Sequence, residues 1–156
     1  MRFFPNKDDR QLMNLVLRFA AGSVFLWFGV DKIVRPEAWY AWVPSWIWPF
    51  IPNMDVFMYL NGAFEVAVGL CLVTGKYVRE AAILAALFVF GITMAVGVSE
   101  VTVRDLALVG ICIALAIEAE GSAKRRLPQG TFAVVTGLYI FYLFIYGVLY
   151  LRNVNP

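Results

Sequence analysis

Residues 12–30 read LMNLVLRFAAGSVFLWFGV, an apolar run interrupted only by Asn14, Arg18 and Ser23. As a helix rising about 1.5 Å per residue it spans about 28 Å, close to the thickness of a bilayer's hydrocarbon core. The preceding residues, MRFFPNKDDRQ, are polar and carry both signs of charge. Two aspartates before the run, its length, and the lack of a small-residue cleavage site after it argue against a secretory signal, so the N-terminus is expected to be retained. Residues 12–30 therefore read as a first transmembrane helix.

The rest of the 156-residue chain agrees with that solvent: 62% of it is AVILMFWYC and 15% is charged, against about 45–50% and 25% in an ordinary soluble domain. Further apolar runs lie at 56–74, 81–98, 101–117 and 131–151, and all seven prolines fall outside the run interiors. Unbroken runs speak against a small-solute carrier built on interrupted helices. Residues 38–54, AWYAWVPSWIWPFIPNM, hold four tryptophans and three prolines. That is too interrupted for a spanning helix and too aromatic for a hydrated loop, which predicts an interfacial or shallow re-entrant segment. A short turn around Gly75 makes an antiparallel hairpin of the second and third runs.

Several function classes fall away. No histidine is present, which removes the commonest metal ligand and the usual axial ligands of b-type haem, so neither haem nor metal is expected on this chain. The two thiols, Cys71 and Cys112, differ in depth by about 12 Å on this topology, too far for a disulfide, and read as packing residues. A net charge of +2, with the basic residues near segment ends, gives no nucleic-acid footprint.

Orientation follows from those basic residues. Arg2, Lys7, Arg10, Lys76, Arg79, Lys124, Arg125 and Arg126 share one side of a five-span topology, and Lys32, Arg35, Arg104 and Arg152 the other. The bias predicts a cytoplasmic N-terminus, an external C-terminus and an external tryptophan segment, in a multi-pass protein of a prokaryotic plasma (inner) membrane.

Helical geometry then gathers the unusual residues. At 100° per residue, Arg18, Gly22, Phe25, Gly29 and Lys32 fall within an arc of about 80°, with Trp27 and Asp31 pointing away. The second run places Met58, Asn61, Gly62, Glu65, Gly69 and Leu72 on one side. Matching residue 31 with about residue 55 sets Arg18 opposite residue 68, about 4.5 Å along the axis from Glu65, so an Arg18–Glu65 pair is expected at the interface. Two readings of that pair stand: a device that fixes helix register, or a catalytic group, as a proton relay or the polar end of a quinone site. Lys32, Arg104 and Asp105 gather near the external face, with Asn61 below, as candidate substrate-binding residues for a small anion or a quinone head group; interfacial snorkelling is the other reading. Tyr139, Tyr142, Tyr146 and Tyr150 form a stripe suited to packing, to a quinone or to a partner subunit.

The stretches RFAAGSVFLWFGVDK (18–32), GAFEVAVGLCLVTGKYVREAA (62–82) and VRDLALVGICIALAI (103–117) resemble the DoxX family of small bacterial and archaeal membrane proteins. That family is related to the DoxD subunit of thiosulfate:quinone oxidoreductase. The resemblance runs from about residue 11 to 120 and maps family positions onto Arg18, Gly22, Gly29, Lys32, Glu65, Gly75, Arg79, Arg104 and Asp105. It implies an all-α integral membrane fold, a DoxX-like four-helix bundle over residues 1–120 with the tryptophan segment at 36–54. Residues 121–156 add a cytoplasmic basic loop and a fifth transmembrane helix, a departure from the four-helix plan. The function so implied is the membrane subunit of a quinone-linked oxidoreductase module handling a sulfur reductant such as thiosulfate. Glu65 and Arg18 would be catalytic and a quinone the cofactor, with lipid, other membrane subunits or further copies of the chain as partners. The alternative is a non-catalytic scaffold or accessory subunit of a larger membrane complex.

Overall fold

The computed structural model describes residues 7–97 and 99–122, and these are all-helical. Helix α1 covers Lys7–Val34, α2 Met54–Thr74, α3 Val78–Val96 and α4 Glu100–Ser122. The expected fifth span at 131–151, its tyrosine stripe and the basic loop before it lie outside the described residues.

Helix α1 starts earlier than its apolar run because Asp8 and Asp9 in its first turn favour the positive end of the helix dipole. Helix α2 opens on Asn53, whose side chain accepts from the Val56 N–H at 3.1 Å, and closes at Gly75. Gly75 adopts φ +78° and returns its N–H to the Cys71 carbonyl. Tyr77 is also left-handed, at φ 55°, and the two together reverse the chain between α2 and α3. Between α1 and α2 the tryptophan segment forms two short 3-10 helices, Pro36–Trp42 and Ser45–Phe50, with prolines at the start of the first and inside the second.

Three of the long helices, over Asp8–Val34, Met54–Thr74 and Val78–Val96, are long and apolar enough to cross a membrane. Helix α4 is as long, but Glu100, Arg104 and Asp105 near one end and Glu118 near the other leave 106–117 as its longest uncharged stretch. That stretch covers about 18 Å of a hydrocarbon core of about 30 Å, so three of the expected spans are long and apolar enough to cross and α4 is not.

Inside, Ala21 and Phe25 of α1 meet Val68 and Leu72 of α2, the small face Ala81, Ala82, Ala85 and Ala86 of α3, and Val109, Cys112 and Leu115 of α4. Both cysteines are free. Outside, Leu12, Val16, Phe19, Trp27, Leu60 and Leu70 are exposed, as suits an apolar solvent. The described chain is that of a membrane-embedded protein in contact with lipid.

Candidate functional site

The interface between α1 and α2 is built on glycines. A Cβ on Gly29 would lie 2.7 Å from the Gly62 carbonyl oxygen, and one on Gly62 would lie 2.7 Å from that of Gly29. Gly22 and Gly69 face each other in the same way one heptad on. Close approach of the backbones fixes the register and brings the faces read from the sequence together. Gly22, Phe25, Gly29 and Lys32 are buried on α1, and Met58, Gly62, Glu65, Gly69 and Leu72 on α2.

Within that register Glu65 takes a different partner from the expected one. Lys32 Nζ donates to both carboxylate oxygens, at 2.6 and 2.7 Å, and Lys32 and Glu65 are only 8% and 4% exposed. Arg18 does not reach Glu65. Its Nε donates to the Leu72 carbonyl at 2.8 Å and its Nη2 to that of Val73 at 3.0 Å.

Two physical reasons account for the exchange. Gly29 opposite Gly62 sets residue 18 level with about residue 73 rather than 68, which slides Arg18 about 7–8 Å from the expected level. Side chains also lean toward the N-terminus of their own helix. In an antiparallel pair Lys32 and Glu65 therefore lean toward each other, whereas Arg18 leans out to the C-terminus of α2. There its guanidinium occupies the place that a Gly75 side chain would need, and caps carbonyls at the negative end of the dipole. Arg18→Met should lower stability by about 1.5–3 kcal/mol through loss of these charged hydrogen bonds, and Arg18→Lys should recover part of it in detergent unfolding curves. Equal stability of all three proteins would remove this role.

Over the ion pair lies one ring of the tryptophan segment, whose sequence allows an aromatic belt or a lid over a site and singles out no one residue. The Trp39 ring stands with its centroid 4.5 Å from Lys32 Nζ. Its indole Nε1 donates to Asp31 Oδ2 at 3.0 Å, and Phe28 meets it edge-on at 5.5 Å. Asp31, expected to point away from the site, holds this lid from behind and also accepts from Arg35 Nε at 3.0 Å and from Arg35 Nη2. Asp31 and Arg35 stand at the i, i+4 spacing of a helical ion pair, whereas Trp39 lies beyond α1 in the 3-10 helix and has no such signal. Tyr40 fixes the same segment to the start of α2 by donating to Asp55, and that carboxylate pushes the Tyr40 phenol up to about 12.

The other expected binding residues are only partly gathered. Asp105 lies within electrostatic reach of Lys32. Arg104 is exposed, and its Nε donates to the Glu100 carbonyl of its own helix at 3.2 Å, so it joins no pocket with Lys32. Asn61 is half-buried and turns its amide to the Phe57 carbonyl of α2 at 2.7 Å.

The sequence profile of the DoxX family matches residues 13–98, more than half of the chain. The chain belongs to the DoxX family. No curated protein and no solved structure matches it significantly. The DoxX match takes in Arg18, Lys32, Trp39, Glu65 and the four interface glycines, and ends before Arg104 and Asp105.

Proposed function

We propose that this DoxX protein is the membrane subunit of a quinone-linked oxidoreductase module in a prokaryotic plasma membrane, with its N-terminus in the cytoplasm and the Lys32–Glu65 pair near the external face. The observation that carries the reading is a bidentate lysine–glutamate pair buried between membrane helices and roofed by an indole. An ionisable pair at such depth is a functional candidate by default.

Its chemistry suits a quinone head. A bound quinone takes two electrons and two protons to become quinol. Lys32 offers N–H donors to a carbonyl oxygen, Glu65 offers an acceptor for a hydroxyl, and Trp39 and Phe28 supply flat apolar walls. The two carboxylate oxygens and the ammonium form a proton-exchanging unit beside the place where protons are needed. Electrons come from a sulfur reductant or a partner subunit; two thiosulfate ions joined as tetrathionate release two electrons and no proton, so both protons must be supplied at the site.

A mild-detergent purification of the tagged protein from its own membrane tests the reading. Quinone that copurifies with wild type and is lost from Glu65→Gln at equal protein yield, together with thiosulfate-dependent quinol formation, is the expected result. The glycine contacts, the ion pair and the Arg18 cap all close one interface, which favours the scaffold as the second reading. A stoichiometric partner with no quinone in either protein would establish it.

A further inference from the structure

We infer that Trp39 is a cover over the free donor of Lys32, and that the charge-balanced opening beneath it admits an uncharged acceptor oxygen and excludes anions. This deepens the functional reading above and rests on it for the ligand, though not for the cover. The ammonium has three N–H donors. Glu65 takes two, at 2.6 and 2.7 Å, and Nζ also stands over the face of the Trp39 ring, 4.5 Å from its centroid. An indole face is a weak partner for an ammonium compared with an oxygen lone pair, so an acceptor able to reach Nζ would displace it.

The cover is held in place rather than merely packed. Its Nε1 donates to Asp31, which is itself tied to Arg35, and the edge of Phe28 braces the ring. Trp39 belongs to a short 3-10 helix, Pro36–Trp42, joined to α1 by Arg35, so the ring can leave without unfolding α1 or α2. Opening the donor breaks the Asp31 hydrogen bond, the cation–π contact and the Phe28 edge contact, all of them made by one side chain.

Charge then decides the class of ligand. Each cation at the opening already faces a carboxylate: Lys32 faces Glu65 and Arg35 faces Asp31. With no surplus positive charge, an entering anion would meet carboxylates without a cation of its own. A carbonyl oxygen needs only the donor that Trp39 releases. The anionic reductant, on this reading, is handled elsewhere.

Reactivity of Lys32 toward a small acylating reagent, read peptide by peptide in the full-length detergent-solubilised protein, tests this. Exposed Lys76 normalises reagent activity, and Cys112, wholly buried in the bundle, reports through a thiol reagent whether the helices have parted. Wild-type Lys32 should label slowly, Trp39→Ala about tenfold faster, and Trp39→Phe, which keeps a ring but loses the Asp31 bond, about threefold faster, with Cys112 silent throughout. In Trp39→Ala, a fully substituted short-chain benzoquinone should slow labelling of Lys32 and thiosulfate should not. Unchanged labelling in both variants, or a rise shared by Cys112, overturns the cover. Protection by thiosulfate and not by the quinone overturns the ligand class. Lys32 labelling reads the cover whether or not the chain turns over a quinone, so its failure and that of the functional reading are separate results.

Discussion

Glu65→Met is expected to destabilise the protein by about 3–5 kcal/mol, and Lys32→Met by a similar amount, because each leaves its partner charged and buried with nothing opposite. Lys32 and Glu65 are 8% and 4% exposed, and both carboxylate oxygens are engaged by one nitrogen, so water has little access to compensate either loss. The double variant Lys32→Met with Glu65→Met should recover most of that stability, since two apolar side chains of similar volume can fill the same space without desolvated charge. Reversible unfolding in mixed micelles measures all four corners of the cycle. Single variants within about 1 kcal/mol of wild type would mean that the pair is hydrated, contrary to its burial.

The same cycle separates the two functional readings. A stable double variant that no longer retains quinone identifies the pair as a site whose charges are kept for chemistry. A stable double variant that still binds its partner subunit and behaves as wild type in the membrane identifies it as a register device. Stability alone does not distinguish them, because both readings predict the same penalty for a lone buried charge.

Much of this is legible in the sequence, and the rest is not for identifiable physical reasons. The buried faces of α1 and α2 follow from a 3.6-residue period, so Gly22, Gly29, Gly62, Glu65 and Gly69 could be placed on facing sides from spacing alone. Which cation meets Glu65 depends on register and on the direction in which side chains lean. A register shift of five residues is enough to exchange Lys32 for Arg18. The glycines held the answer: four of them with the same seven-residue spacing on both helices can pair backbone to backbone in one way that brings 29 to 62 and 22 to 69. Trp39 was harder, because a 3-10 segment has no long period to read, and the role of its indole comes from folding back over α1. Depth alone groups Arg104 with Lys32, but azimuth on α4 decides contact, and Arg104 faces outward.

Gly29→Ala and Gly62→Ala should be the most damaging of the glycine substitutions. The new Cβ at position 29 would lie 2.7 Å from the Gly62 carbonyl oxygen and 2.8 Å from the Val66 nitrogen; at position 62 it would lie 2.7 Å from the Gly29 carbonyl oxygen. These are backbone atoms of a packed helix, which cannot swing aside as a side-chain tip can, so the helices must separate. At Gly22 the nearest atom is Val73 Cγ2, at 2.7 Å, and a rotamer change there absorbs part of the clash. Overpacking of this kind typically costs about 1–3 kcal/mol, with position 22 at the low end and Gly29→Val beyond the high end. Gly91→Ala and Gly110→Ala meet nothing within 4 Å and serve as the controls, neutral or slightly stabilising through better helix propensity. Gly29 lies within one turn of Lys32, so separation at this point also draws Lys32 Nζ away from Glu65 and opens the site beneath Trp39. Gly29→Ala should therefore lose stability and quinone retention together, whereas Gly22→Ala should lose some stability and keep the ligand. A Gly29→Ala protein as stable as Gly91→Ala would mean that the backbones do not touch, and with that contact would go the register that pairs Lys32 with Glu65.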